Sequence, residues 1–108
     1  MARLKEKALE SILRDVVANF DGKSDDFDVH LIFDPQRHTF AINAVRPTPT
    51  KERGFILMQA RVVADHIVVD ADALWDKNLW QALEKAGVPR EQIILAYKGE
   101  KLPEPTQS

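Results

Sequence analysis

With no cysteine in this 108-residue chain, the first candidates for chemistry are its three histidines, seventeen acids and three serines. A metal site needs imidazoles brought onto one face. His30, His38 and His66 fall on a strand, at a strand start and in a turn, without the i, i+4 spacing that aligns two ligands on a helix. Only the folding of a sheet could bring His30 and His38 together. The acidic run Asp21, Asp25, Asp26, Asp28 has glycine in the second place of a calcium loop instead of the sixth, and Ile32 where a bidentate glutamate belongs. It reads as a solvated loop. Ser11 sits inside a helical pattern, Ser24 in a turn and Ser108 at the terminus, so no strand-to-helix nucleophile elbow is formed. The four glycines are spread one per segment, which excludes a Walker loop and a dinucleotide fingerprint. The only acid-x-lysine, Asp21-Gly22-Lys23, precedes the first major strand, with no sheet acid before it to complete a restriction-type nuclease core. The expectation is a protein that is not an enzyme, with no catalytic residue, no metal ligands and no cofactor.

Two kinds of binding residue remain. Arg46, Lys51, Arg53 and Arg61 form the best local cationic patch, the candidate for phosphate contacts. Glu52 lies in its midst and no aromatic residues are interleaved for base stacking, so a solvated loop is the more economical reading. Trp75 and Trp80, five residues apart, point to different sides of a helix. Trp75 fits the apolar stripe, while an exposed Trp80 would be an anchor for a protein partner. Fifteen Lys and Arg against seventeen Asp and Glu give a net charge of −2 and a pI near 5.9, with no global attraction to nucleic acid or anionic lipid. Lack of cysteine, of an apolar signal run and of any stretch near the ~20 apolar residues of a membrane span point to a soluble, cytoplasmic protein.

The elements that position these residues follow from periodicity. From Arg3 to Phe20, apolar residues at three- and four-residue spacing predict an amphipathic helix, closed by the turn formers from Asp21 to Asp26 with Gly22 as cap. Phe27, Val29, Leu31 and Phe33 alternate with Asp28, His30 and Asp34 and predict a strand. Asp34-Pro35-Gln36-Arg37 turns it into a second strand over Thr39–Val45, and the two prolines between Arg46 and Arg53 make an exposed connection. Gly54–Ala64 and Ile67–Asp70 predict a hairpin turning at Asp65-His66. Trp75, Leu79, Ala82, Leu83 and Ala86 predict a second helix beyond Asp72, stopped by Gly87-Val88-Pro89, with a buried extended segment at Ile93–Tyr97. At this length about 65% of the unfolded surface can be buried, enough for one core. The fold class is therefore α+β. One domain occupies residues 1–97, with a mainly antiparallel sheet of about four to five strands, an N-terminal helix and a second helix near the C-terminus, followed by a flexible polar tail over 98–108.

Leu31-Ile32-Phe33-Asp34, then Arg37, Phe40-Ala41-Ile42, Gly54, Ile67-Val68-Val69 and the block from Ala86 through Gly87-Val88-Pro89-Arg90-Glu91-Gln92-Ile93-Ile94-Leu95, follow one another in an order and spacing that resembles the XisI family. These are element excision controlling factors, found mainly in cyanobacteria. The resemblance covers about residues 4 to 97. It differs from the family pattern at Arg46-Pro47, Asp65-His66, Asp72-Ala73-Leu74-Trp75 and after Tyr97, as a divergent member would. It implies an XisI-like α+β regulatory protein that controls excision of a DNA element together with a companion, XisH, and a site-specific recombinase. Protein contact and a homo-oligomer, a dimer, are the expected mode; direct DNA binding through Arg46, Lys51, Arg53 and Arg61, or antitoxin-like inhibition of a nuclease-like companion, are the alternatives.

Overall fold

The computed structural model describes residues 4–19, 22–23, 28–46, 54–73 and 78–102. Helix α1 (Glu6–Ala18) buries Leu9, Leu13, Val16 and Val17, the stripe that the three- and four-residue spacing requires. It closes at Asn19, which keeps a right-handed conformation and returns its amide to the Val16 and Val17 carbonyls. Gly22 is thus not its cap. Gly22 and Lys23 instead form a two-residue strand, β1, against the start of β2 (Asp28–Asp34).

The sheet has six strands in simple sequence order: β1, β2, β3 (Thr39–Val45), β4 (Gly54–Val63), β5 (His66–Asp72) and β6 (Ile93–Leu95). All neighbours are antiparallel except β5 and β6, which the intervening helix α2 (Leu79–Lys85) forces to run parallel. Both helices lie on one face. There Phe40, Ile42, Ala44, Met58, Ala60, Val62, Ile67 and Val69 meet Leu9, Leu13, Leu79 and Leu83 in a single core.

Four expectations shift in detail. The β4–β5 turn is at Ala64-Asp65, both with positive φ (47° and 61°), and His66 already belongs to β5. β5 runs on to Asp72, two residues past the expected Asp70, and the Asp72 carboxylate accepts the Leu79 amide at 2.8 Å, capping α2 from seven residues away. The second helix therefore starts at Leu79, leaving Ala86 exposed as its C-cap; Trp75 lies outside the described residues. Its end is as expected: Gly87, at φ 109°, closes a Schellman pair in which the Gly87 amide reaches Glu84 and the Val88 amide reaches Leu83, each at 3.0 Å. Lastly, Glu100, assigned by composition to the polar tail, is fastened to the domain: its carboxylate accepts the Leu95 amide at 2.8 Å and the Arg90 guanidinium at 3.1 Å.

Gln92 is the one buried polar side chain among the described residues, and it is fully enclosed. Its Oε1 accepts the Leu4 amide at 2.9 Å, while Nε2 donates to the Leu4 carbonyl at 2.9 Å and the Asp65 carbonyl at 2.8 Å. One amide thereby ties the chain's start, the β4–β5 turn and the entrance to β6.

Candidate functional site

Both helices lie on one side, and no described helix covers the β2–β4 part of the other side, although Val68 and Ile94 are buried there toward β6. Strand alternation sends His30, Ile32 and Asp34 of β2, Thr39, Ala41 and Asn43 of β3, and Gln59 and Arg61 of β4 to that side. At one end of it lies a polar basin lined by Asp34, Arg37, Thr39, Gln59, Arg61 and Asp70. Beside the basin stand two exposed isoleucines, Ile32 at 47% and Ile56 at 42% accessibility.

Each basin residue is placed by a local feature. Asp34 ends β2, and its Oδ1 accepts the Gln36 amide (3.0 Å) and the Arg37 amide (3.3 Å), an Asx turn that brings Arg37 back over it. Arg37 Nη1 then donates to Asp34 Oδ2 at 2.9 Å. That guanidinium, helped by the Arg37 and Gln36 amides and opposed by partial desolvation, holds the Asp34 carboxyl below the usual aspartate range. Thr39 pairs with Asp34 on one side and Arg61 on the other, so the three residues form a row across β2, β3 and β4. A bulge completes the set. Gln59 opposes Ala71 and Ala60 opposes Val69, leaving Asp70 as the extra residue on β5, turned toward Arg61. Arg61 Nε donates to Asp70 Oδ2 at 2.9 Å and Nη2 to Oδ1 at 3.4 Å, a two-point clasp.

Each aspartate here faces a guanidinium, and each guanidinium faces an aspartate. The Asp34 carboxyl, held ionised by Arg37, is a poor proton donor, and an arginine already clasped has less to offer a phosphate. The arrangement suits recognition through shape and matched polarity.

The other sequence candidates are dispersed. Arg46, half-buried past the end of β3, stacks its guanidinium over Phe55 at 4.6 Å from the ring centroid. It lies at the opposite end of the β3–β4 ladder from Arg61, about 20 Å away at the rise of a strand. Lys51 and Arg53 lie outside the described residues. Trp80 is half-buried rather than an exposed anchor: it packs beside the core with Arg90 5.3 Å above its ring, and its Nε1 is enclosed without a hydrogen-bond partner. His30 and His38 do not meet. His30 opposes Asn43 on the open face, whereas His38 reaches across to Glu10 of α1 at 3.3 Å. No cluster of three metal-ligating side chains occurs among the described residues, and no helix among them is long and apolar enough to cross a membrane. Sequence reading singled out Arg61 but missed Asp34, Arg37, Gln59 and Asp70 as its company. The signal for Asp70 lay in the hairpin, since strands turning at Ala64-Asp65 bring position 70 back toward 59 and 61.

The family model for XisI protein matches residues 1–107. The chain belongs to the XisI family. This XisI-family chain shares its fold with a XisI-like protein from Anabaena variabilis ATCC 29413, at 24% identity and a TM-score of 0.62, over 83% of this chain and 81% of that one. It is similar also to the fdxN element excision controlling factor XisI of the same strain, at 16% identity and a TM-score of 0.67, over 86% of this chain and 93% of that one. No curated protein matches it. At such identities the structural likeness speaks for the fold: two helices on one face of a mostly antiparallel sheet.

Proposed function

We propose that this XisI-family protein is a non-catalytic controlling factor that works by protein contact, engaging a XisH-like companion and through it a site-specific recombinase during excision of a DNA element. The observation that carries this reading is the part of the sheet face over β2–β4 that no described helix covers. A sheet with both helices on one side keeps its other side for water or for a partner, and Ile32 and Ile56 expose apolar surface there beside a basin of matched charges. Family membership supports the excision setting, and the fdxN element excision controlling factor with the same fold supports the regulatory role. The dispersal of Arg46 and Arg61, and the clasp that occupies Arg61, argue for a protein partner over direct contact with DNA.

The deciding experiment is co-expression with the XisH-like neighbour, followed by co-purification and calorimetric titration. A stable complex of defined stoichiometry is expected, with affinity changing little between low and moderate salt. Failure to associate, together with duplex binding that falls by orders of magnitude as salt rises, would transfer the function to nucleic acid.

A further inference from the structure

The two edges of the sheet are treated in opposite ways. At the β6 edge the chain blocks its own outward backbone groups: Arg90 Nη1 donates to the Ile93 carbonyl at 2.6 Å, and Glu100 accepts the Leu95 amide at 2.8 Å. Ile93 and Leu95 share the parity whose backbone points away from β5. A strand cannot add there without displacing these side chains. At the other edge, β1 is only two residues long and covers β2 at Asp28 and Val29 alone. From His30 to Asp34 the outer edge of β2 pairs with no described residue.

Open edges in native proteins are blunted by lysine, proline, a bulge or a covering element. Residues 30–34 read His-Leu-Ile-Phe-Asp, with neither lysine nor proline, and their ladder to β3 runs without a register shift. Ile32 and Phe33 are both exposed. Among the described residues nothing guards this apolar edge beyond Val29, and such an edge is a template for a further strand.

We infer that a second copy of this chain covers it, the two β2 strands pairing antiparallel about a two-fold axis at Ile32 to make one continuous twelve-stranded sheet. This rests on the reading of the protein as one that acts through protein contact. The register follows from the sequence. A two-fold perpendicular to the sheet keeps the open face of both copies on one side, so residues pair only with the same parity. Centred on Ile32, the pairs are Ile32 with Ile32, Leu31 with Phe33, and His30 with Asp34 of the other copy. Every open position is used and an imidazole faces a carboxylate. Centred one residue earlier, Asp34 would oppose Asp28 where β1 already sits; one residue later, Pro35 would enter the ladder. Both copies then carry their helices on the same side, and the two open faces merge into one surface.

The test uses the full chain in solution. Light scattering coupled to size exclusion should give a dimer. Ile32→Lys, an exposed position on the open face, should return a monomer with unchanged circular dichroism. Because the chain lacks cysteine, Ile32→Cys places a single thiol at the axis and should cross-link in near-quantitative yield with a short bismaleimide, while Ile56→Cys, equally exposed but on β4, should not. A monomeric wild-type chain overturns the inference, as does a dimer that survives Ile32→Lys and leaves the Ile32→Cys chain uncross-linked. Neither result touches companion binding, which is scored separately by titration with the XisH-like protein, so the two readings fail independently.

Discussion

Gln92 shows how much one side chain can hold. It is fully buried and makes three hydrogen bonds to backbone groups that are 88 and 27 residues away in sequence. Gln92→Ala would leave a cavity and strand those groups, and a buried polar group without a partner costs about 1–3 kcal/mol. We expect a loss of about 3 kcal/mol in urea unfolding; a change below about 1 kcal/mol would show that water replaces the amide. Glu100 makes a different prediction. The Leu95 amide, followed by the Arg90 guanidinium, holds its carboxyl below the usual glutamate range against some desolvation. The folded state therefore binds fewer protons at Glu100 than the unfolded chain does. Its contribution is complete above the ordinary glutamate value of about 4.3 and is lost as pH falls through the lower folded value. Glu100→Gln should lower Tm at neutral pH and flatten the acid limb, the two curves converging at the lowest pH. Parallel curves down to about pH 2 would show that Glu100 does not titrate with folding.

At the scale of elements, the turns are where sequence rules and structure part. Ala64 and Asp65 both adopt positive φ in the two-residue β4–β5 turn, a conformation that asparagine and glycine fill with less strain. Ala64→Gly should raise stability by about 0.5–1 kcal/mol, with Asp65 still offering its carbonyl to Gln92; destabilisation would mean that the unfolded chain's gain in freedom outweighs the relieved strain. Gly87→Ala should do the reverse and cost about 1 kcal/mol. No atom lies within 4 Å of an added Cβ there, so the penalty is conformational alone. The Gly87-Val88-Pro89 stop was legible because a left-handed cap has one overwhelmingly favoured residue. The hairpin turn was misplaced by one residue because alanine gives no sign of positive φ. The start of α2 was misread for a related reason: apolar spacing carries Trp75 into the helix, whereas Asp72 caps it across the intervening residues, a bond with no local signature. The alternation of β2 was plain, and β3 and β4 fall close to the strands expected at Thr39–Val45 and Gly54–Ala64. The polar basin was not plain, because Asp70 reaches Arg61 only through a bulge that no periodicity announces.

At the scale of the whole molecule, the asymmetry of the sheet decides what can bind where. One face is sealed by α1 and α2, one edge is blocked by Arg90 and Glu100, and the remaining face and edge expose Ile32, Phe33 and Ile56. These two surfaces share Ile32, so a substitution there affects both self-pairing and the open face. Ile56 separates them. It stands on β4 opposite Asn43, with β3 between it and the β2 edge, and it is 42% exposed. Ile56→Glu puts a charge into the open face without touching the pairing strand. Replacing a half-exposed side chain in this way should change unfolding by no more than about 0.5 kcal/mol. A buried, unpaired carboxylate at a protein interface costs several times that, enough for a tenfold or greater loss of affinity. Companion binding should therefore fall at least tenfold in titration calorimetry while the dimer seen by light scattering persists. Unchanged affinity would move the companion's footprint off the open face, and the helix side, with the half-buried Trp80 under Arg90, would become the surface to test next.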